Sequence, residues 1–167
     1  MTSSPKPFDP LRALETLTRH GVDFVVIGAY AGRLLGSPTV TRDLDLCYSR
    51  ERDNLERLAG ALTKLHARLR GAPPDLPFKL DARSLRAGDS FTFVTDAGDL
   101  DILGTPTGTD GYPDLVRSAQ VMDLDGLRIH VVHIDDLIRM KRAAGRPKDL
   151  IEAEVLGAVR DEIDRRS

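Results

Sequence analysis

Cysteine is nearly absent from the chain, with only Cys47 in 167 residues. That excludes an internal disulfide framework and fits the reducing conditions of the cytoplasm. Neither charge is in excess: 24 basic side chains face 26 acidic ones, for a formal net charge of -2. Such a balance excludes a large basic nucleic-acid surface, though not a local patch. No apolar run approaches the length of a membrane span, and the opening Met-Thr-Ser-Ser-Pro-Lys-Pro holds no apolar signal core. A soluble cytoplasmic protein with no membrane partner is therefore expected. Internal repeats, heptads and low-complexity tracts are missing, and so are a Gly-x-Ser-x-Gly elbow, a Walker loop and a Rossmann glycine fingerprint.

The composition that is present, 41% hydrophobic and 30% charged, can bury a proper core. It predicts one domain over residues 1–167, with 1–8 as a loose tail and 134–167 as a C-terminal helical part. Asp9 as N-cap, Pro10 in the first turn, Leu11, Leu14 and Leu17, and Gly21 as stop predict a first helix. Val22 to Ile27 reads as a strand buried on both faces. A glycine turn at Gly28, a short helix and a loop from Gly36 to Val40 lead to a second strand carrying Asp43 and Asp45. Leu55, Leu58, Leu62, Leu65 and Leu69 form one stripe, so a long helix capped by Ser49 is expected from Glu51 to Leu69. Gly71 to Gly88 reads as a long irregular loop. A hairpin follows, Ser90–Thr95 and Asp99–Leu103 around Asp96-Ala97-Gly98. After a loop at Gly104–Gly111 come a short helix at Tyr112–Ser118 and strands at Val121–Leu124 and Leu127–Val132. Helices at Ile134–Ala144 and Pro147–Arg165, parted by Gly145, end the chain.

Several of these elements carry residues fit for chemistry. A helix that starts at Gly28 offers free N–H groups and a partial positive charge to a phosphate, and the missing Cβ lets a ligand come close. The alternative is a glycine required only for steric reasons. Asp43 and Asp45 alternate with Leu44 and Leu46, so both carboxylates share a face and repel unless a cation lies between them. The alternative is a solvated edge strand. Asp101, on an equally alternating strand, brings a third carboxylate if the two strands are neighbours, with Asp99 as its rival nearer the turn. Carboxylates around Mg²⁺ are the usual equipment for phosphoryl and nucleotidyl transfer. Lys141 continues the inward stripe of Ile134, Leu137 and Ile138, either toward a triphosphate or with its ammonium snorkelling into water. In Gly145-Arg146-Pro147-Lys148-Asp149 the charges can cap a helix, and Arg146 and Lys148 can also hold phosphates or an RNA backbone. His20, His66, His130 and His133 lack metal-ligand spacing. Cys47 shares the face of the aspartates and is given no role.

Four segments taken together resemble the nucleotidyltransferase superfamily, the DNA polymerase β-like group. They are Ile27-Gly28-Ala29, Thr41-Arg42-Asp43-Leu44-Asp45-Leu46, Asp136-Leu137-Ile138-Arg139-Met140-Lys141 and Arg146-Pro147-Lys148-Asp149-Leu150. Within that group the chain is similar to small bacterial toxins of the abortive-infection, type IV toxin–antitoxin kind, over about Val22 to Leu156. The resemblance implies an α+β (α/β) fold, a mixed β-sheet flanked by helices. It implies Mg²⁺ held by Asp43 and Asp45, and a nucleoside triphosphate over the Gly28 turn with Arg42 and Lys141 against its charge. Asp101 would be the third carboxylate, a metal ligand or the group that activates the attacking hydroxyl. Lys141 and Asp149 match the catalytic lysine and aspartate of the toxins' later motifs.

The acceptors implied are an RNA, such as a tRNA end, or a small hydroxyl compound of the aminoglycoside type. A cognate antitoxin is the implied protein partner. The chain departs from the family at Ala29, where the usual Gly-Ser or Gly-Gly turn would offer a phosphate contact. Ser37 and Thr41 are the hydroxyls left to replace it. The departure also leaves open a non-catalytic module that binds a nucleotide or a partner. In addition, the chain is short, and its third and fourth motifs are nearly adjacent.

Overall fold

The computed structural model describes residues 6–73 and 75–167. Asp9 caps α1 (Pro10–Arg19), its carboxylate accepting the Arg12 N–H at 3.2 Å. Gly21, at φ +70°, turns the chain into β1 (Phe24–Ile27), whose four residues are all buried. The chain then runs through α2 (Gly28–Leu35), β2 (Asp43–Tyr48), α3 (Arg52–Lys64), β3 (Arg68–Leu69) and α4 (Ala82–Ala87). The hairpin β4 (Ser90–Thr95) and β5 (Gly98–Leu103) follows, then α5 (Tyr112–Ser118), β6 (Gln120–Leu124), β7 (Leu127–Val131), α6 (Ile134–Ala144) and α7 (Pro147–Arg166).

The strands form one seven-stranded mixed sheet in the order β3-β4-β5-β2-β1-β7-β6. Two neighbouring pairs are parallel, β2 with β5 and β1 with β7, and the remaining pairs are antiparallel. β1 and β2 therefore lie inside the sheet. This explains the unbroken apolar run of one and the buried Leu44, Leu46, Cys47 and Tyr48 of the other. Helix α1 packs on α3 and α3 on α4, while α2 packs on α6 and α6 on α7. Among the described residues no helix is long and apolar enough to cross a membrane.

Four expectations are corrected. The helix expected from Glu51 to Leu69 stops at Lys64, because His66 takes a left-handed φ of 53°. The chain reverses there, and Arg68–Leu69 joins the sheet edge beside β4 instead of extending the leucine stripe. Glu51, not Ser49, precedes the helix; the Ser49 hydroxyl accepts the Glu51 N–H from two residues earlier. The loop expected from Gly71 to Gly88 contains α4, capped by Asp81 accepting the Ser84 N–H at 2.8 Å and anchored by buried Leu85. Of the tail expected over 1–8, residues 1–5 lie outside the described residues. Phe8 is not loose: its ring meets that of Tyr30 edge to face at 6.0 Å.

Candidate active site

The parallel pairing of β2 with β5 sets the site. Its register places Asp43 beside Asp99 and Asp45 beside Asp101, so four carboxylates share one sheet face. On the other side of β2, Asp45 is the antiparallel partner of Ile27, the last residue before Gly28. A single cross-strand row thus runs Thr92, Asp101, Asp45, Ile27, and ends at the start of α2.

The row is electrostatically crowded. Burial, together with the negative charges of Asp101 and Asp43, pushes the Asp45 carboxyl up to about 7, and the nearby Lys141 ammonium opposes that rise. The nearness of the Asp101 carboxylate is thus part of what holds the Asp45 carboxyl up. Burial also raises Asp101, against the pull of Arg70. Hard carboxylate oxygens under mutual repulsion suit a hard divalent ion such as Mg²⁺. Among the described residues, no three His, Cys, Asp or Glu side chains are spread as a ready-made metal cage. The donor chemistry fits, because Asp45 and Asp101 are register partners on neighbouring strands and offer hard oxygens on one face.

Beside the row, a shallow crevice is lined by Gly28, Ala29, Ser37, Thr39, Lys141 and Glu152, among others. The sequence-predicted Gly28, Ala29, Ser37 and Lys141 are thus brought together at the first turn of α2. Lys141 points inward as expected, 19% exposed, with its Nζ 2.7 Å from Glu152 and 3.8 Å from Asp149. The Ser37 hydroxyl donates to Thr39 at 3.0 Å and accepts the Thr39 N–H.

Other expected residues lie elsewhere. The Thr41 hydroxyl is spent on its own turn, where it accepts the Asp43 N–H at 3.2 Å. Arg42 and Lys148 are exposed and outside the cleft lining. Asp149 is only 1% exposed and closes a capping box with Arg146, whose Nε donates to it at 2.7 Å. That pairing holds the Asp149 carboxyl below the usual range. Capping is therefore the role its geometry displays, with Lys141 behind it.

Three residues escaped the sequence reading. Glu152 lies one turn along α7 from Asp149, a spacing that puts both on the face toward Lys141. Thr39 follows Ser37 by two, the signature of a hydroxyl turn. Arg70 reaches over β4 to Asp101 at 2.7 Å, a contact that depends on the unforeseen strand β3.

No family model matches the chain, and no curated protein matches it in sequence. Solved structures do match it in fold. A provisionally assigned nucleotidyltransferase from Thermotoga maritima superposes with a TM-score of 0.57 at 15% identity, over 92% of this chain and 91% of that one. The lincosamide antibiotic adenylyltransferase LnuA, in its lincomycin-bound form, gives 0.60 at 11% identity, over 90% and 95%. The antibiotic-resistance factor ANT(2'')-Ia gives 0.50 at 14% identity, over 94% and 90%. The mixed sheet with its flanking helices is accordingly the nucleotidyltransferase-like α+β fold.

Proposed function

We propose that the chain is an Mg²⁺-dependent nucleotidyltransferase, moving a nucleoside monophosphate from a triphosphate to a hydroxyl acceptor in the cytoplasm. The observation that carries this reading is the row Asp101–Asp45–Ile27, which sets paired carboxylates against the N-terminus of α2. Asp43 and Asp45 would hold Mg²⁺, which supplies positive charge against the triphosphate as the α-phosphorus is attacked. The free N–H groups at Gly28 and Ala29 and the Lys141 ammonium receive the phosphate oxygens. Asp101 accepts the proton of the acceptor hydroxyl. The oxygen then bonds to the α-phosphorus, and pyrophosphate leaves.

Two acceptors compete. The toxin resemblance favours an RNA, such as a tRNA end, with a cognate antitoxin as partner. Two of the structural neighbours act on, or confer resistance to, antibiotics, which favours a small hydroxyl compound. The test supplies labelled triphosphates and Mg²⁺ with total cellular RNA in one arm and hydroxyl-bearing antibiotics in the other. Label should enter one pool and vanish when Asp43→Ala and Asp45→Ala are combined. Undiminished labelling by that double variant would sink the assignment.

Ala29 supports a second reading, a module that binds nucleotide or partner without turnover, because it leaves the first turn of α2 without a hydroxyl. Tight Mg²⁺-dependent triphosphate binding in calorimetry, with no labelled product in either pool, would favour it.

A further inference from the structure

The charges along the aspartate row are unevenly served. Among the described residues, its ion pairs fall at the Asp99–Asp101 end, and both come from Arg70. Arg70 is well anchored: its N–H donates to the Thr92 carbonyl at 2.9 Å, and its Nη2 donates to the Phe93 carbonyl at 3.1 Å. The same Nη2 donates to Asp101 Oδ1 at 2.7 Å. Its Nε is buried without a hydrogen-bond partner and lies 3.5 Å from Asp99 Oδ2, so the fork is aimed at both carboxylates. Among the described residues the cation acting on Asp45 is Lys141, which is already committed to Glu152 at 2.7 Å.

We propose that Arg70 is a positioning residue that withholds Asp101 from the metal and reserves it for the acceptor hydroxyl. The divalent ion is left to Asp43 and Asp45. This rests on the nucleotidyltransferase reading. A guanidinium keeps its charge at every accessible pH and does not leave a site by losing a proton. Held on Asp101, it neutralises one carboxylate oxygen and repels a second cation from the other. Asp43 and Asp45, which pair with no arginine among the described residues, remain the negative end of the row. Three carboxylates that could all ligate one ion are thereby divided into a metal pair and a single proton acceptor.

The test measures divalent-ion affinity directly, with Mn²⁺ standing in for Mg²⁺ and free Mn²⁺ counted by electron paramagnetic resonance. Wild type, Arg70→Ala, Arg70→Lys and Asp101→Asn are compared after circular dichroism has verified folding. Arg70→Ala should bind the ion at least fivefold tighter, because Asp101 becomes free to ligate it. Asp101→Asn and Arg70→Lys should stay within twofold of wild type. In nucleotide transfer, Arg70→Ala should lower kcat while the KM for triphosphate holds. Unchanged or weaker ion binding by Arg70→Ala, or a loss of fivefold or more in Asp101→Asn, overturns the proposal. If Arg70→Ala does not fold, Asp101→Asn alone decides it by the same two thresholds. A wild type that takes up no ion overturns it as well. A wild type that binds the ion but transfers no nucleotide to any acceptor sinks the enzymatic reading, while the metal titration still judges Arg70.

Discussion

Gly28 and Asp45 are packed so tightly that a Cβ on residue 28 would come within 2.9 Å of both the Cβ and the Cγ of Asp45. Gly28 also sits at φ +72°, a conformation that other residues adopt only under strain. The glycine thus serves two ends, opening the first turn of α2 and letting the aspartate lie against it.

Gly28→Ala should cost about 1–3 kcal/mol from backbone strain alone, and more from displacement of Asp45. Denaturant unfolding measures the first effect. A loss of divalent-ion binding greater than the loss of stability can explain would report the second.

Ala29→Ser restores a hydroxyl to the cleft beside Ser37 and Thr39. One added neutral hydrogen bond is worth about 1 kcal/mol, or roughly a fivefold gain in triphosphate affinity. Calorimetry reads it, and an unchanged affinity would mean that no phosphate oxygen lies within reach of residue 29.

Lys141→Ala removes the cation that both Glu152 and Asp149 face. Stability should fall by about 1–3 kcal/mol as buried Asp149 and half-buried Glu152 lose a donor. Triphosphate affinity should fall by about tenfold or more. Lys141→Arg should recover part of the stability, and a variant that binds triphosphate as well as wild type would remove Lys141 from the site.

Asn54 is fully buried and ties the start of α3 to the strands. Its carbonyl accepts the Asp23 N–H at 2.7 Å, and its amide donates to the Asp23 and Ser49 carbonyls at 3.1 and 2.8 Å. Asn54→Ala leaves those groups unpaired and should lower stability by about 2–3 kcal/mol. Divalent-ion affinity, measured well below the melting temperature, should not change.

Cys47 and Tyr48 each hold a proton up to about 12, chiefly through burial. Their ordinary values are 9.0 and 10.0, so between those and about 12 the unfolded chain loses protons that the fold retains. Stability should therefore be complete below pH 9 and fall as pH rises above it. Urea midpoints at about pH 8 and about pH 10.5 test the sign, and Cys47→Ala should shallow the decline.

The elements with strong local signals were legible in the sequence. The Asp9–Pro10 start of α1, the apolar run of β1, the hairpin of β4 and β5 and the Gly145 break before α7 all follow from capping, periodicity or turn chemistry. The aspartate alternation placed Asp43 and Asp45 on one face, and the inward stripe of α6 placed Lys141. What escaped depended on contacts between distant segments. A histidine in a left-handed turn gives no warning that a leucine stripe will end, so periodicity carries the helix on through the residues of β3. With β3 lost, Arg70 could not be placed beside Asp101. The local use of the Thr41 hydroxyl, which accepts the N–H of Asp43, is a turn contact that residue type alone does not announce.

The parallel pairing of β2 with β5 joins residues 43–47 to residues 99–103, with α3, β3, α4 and β4 lying between them in the chain. Closing so long an intervening segment costs chain entropy before any contact repays it, and parallel pairs of this kind form slowly. Asp45 and Asp101 therefore cannot meet until that closure is complete. The carboxylate row is thus complete only once the sheet has closed, so any step that needs Asp45 and Asp101 side by side would be among the last capacities the chain gains on refolding.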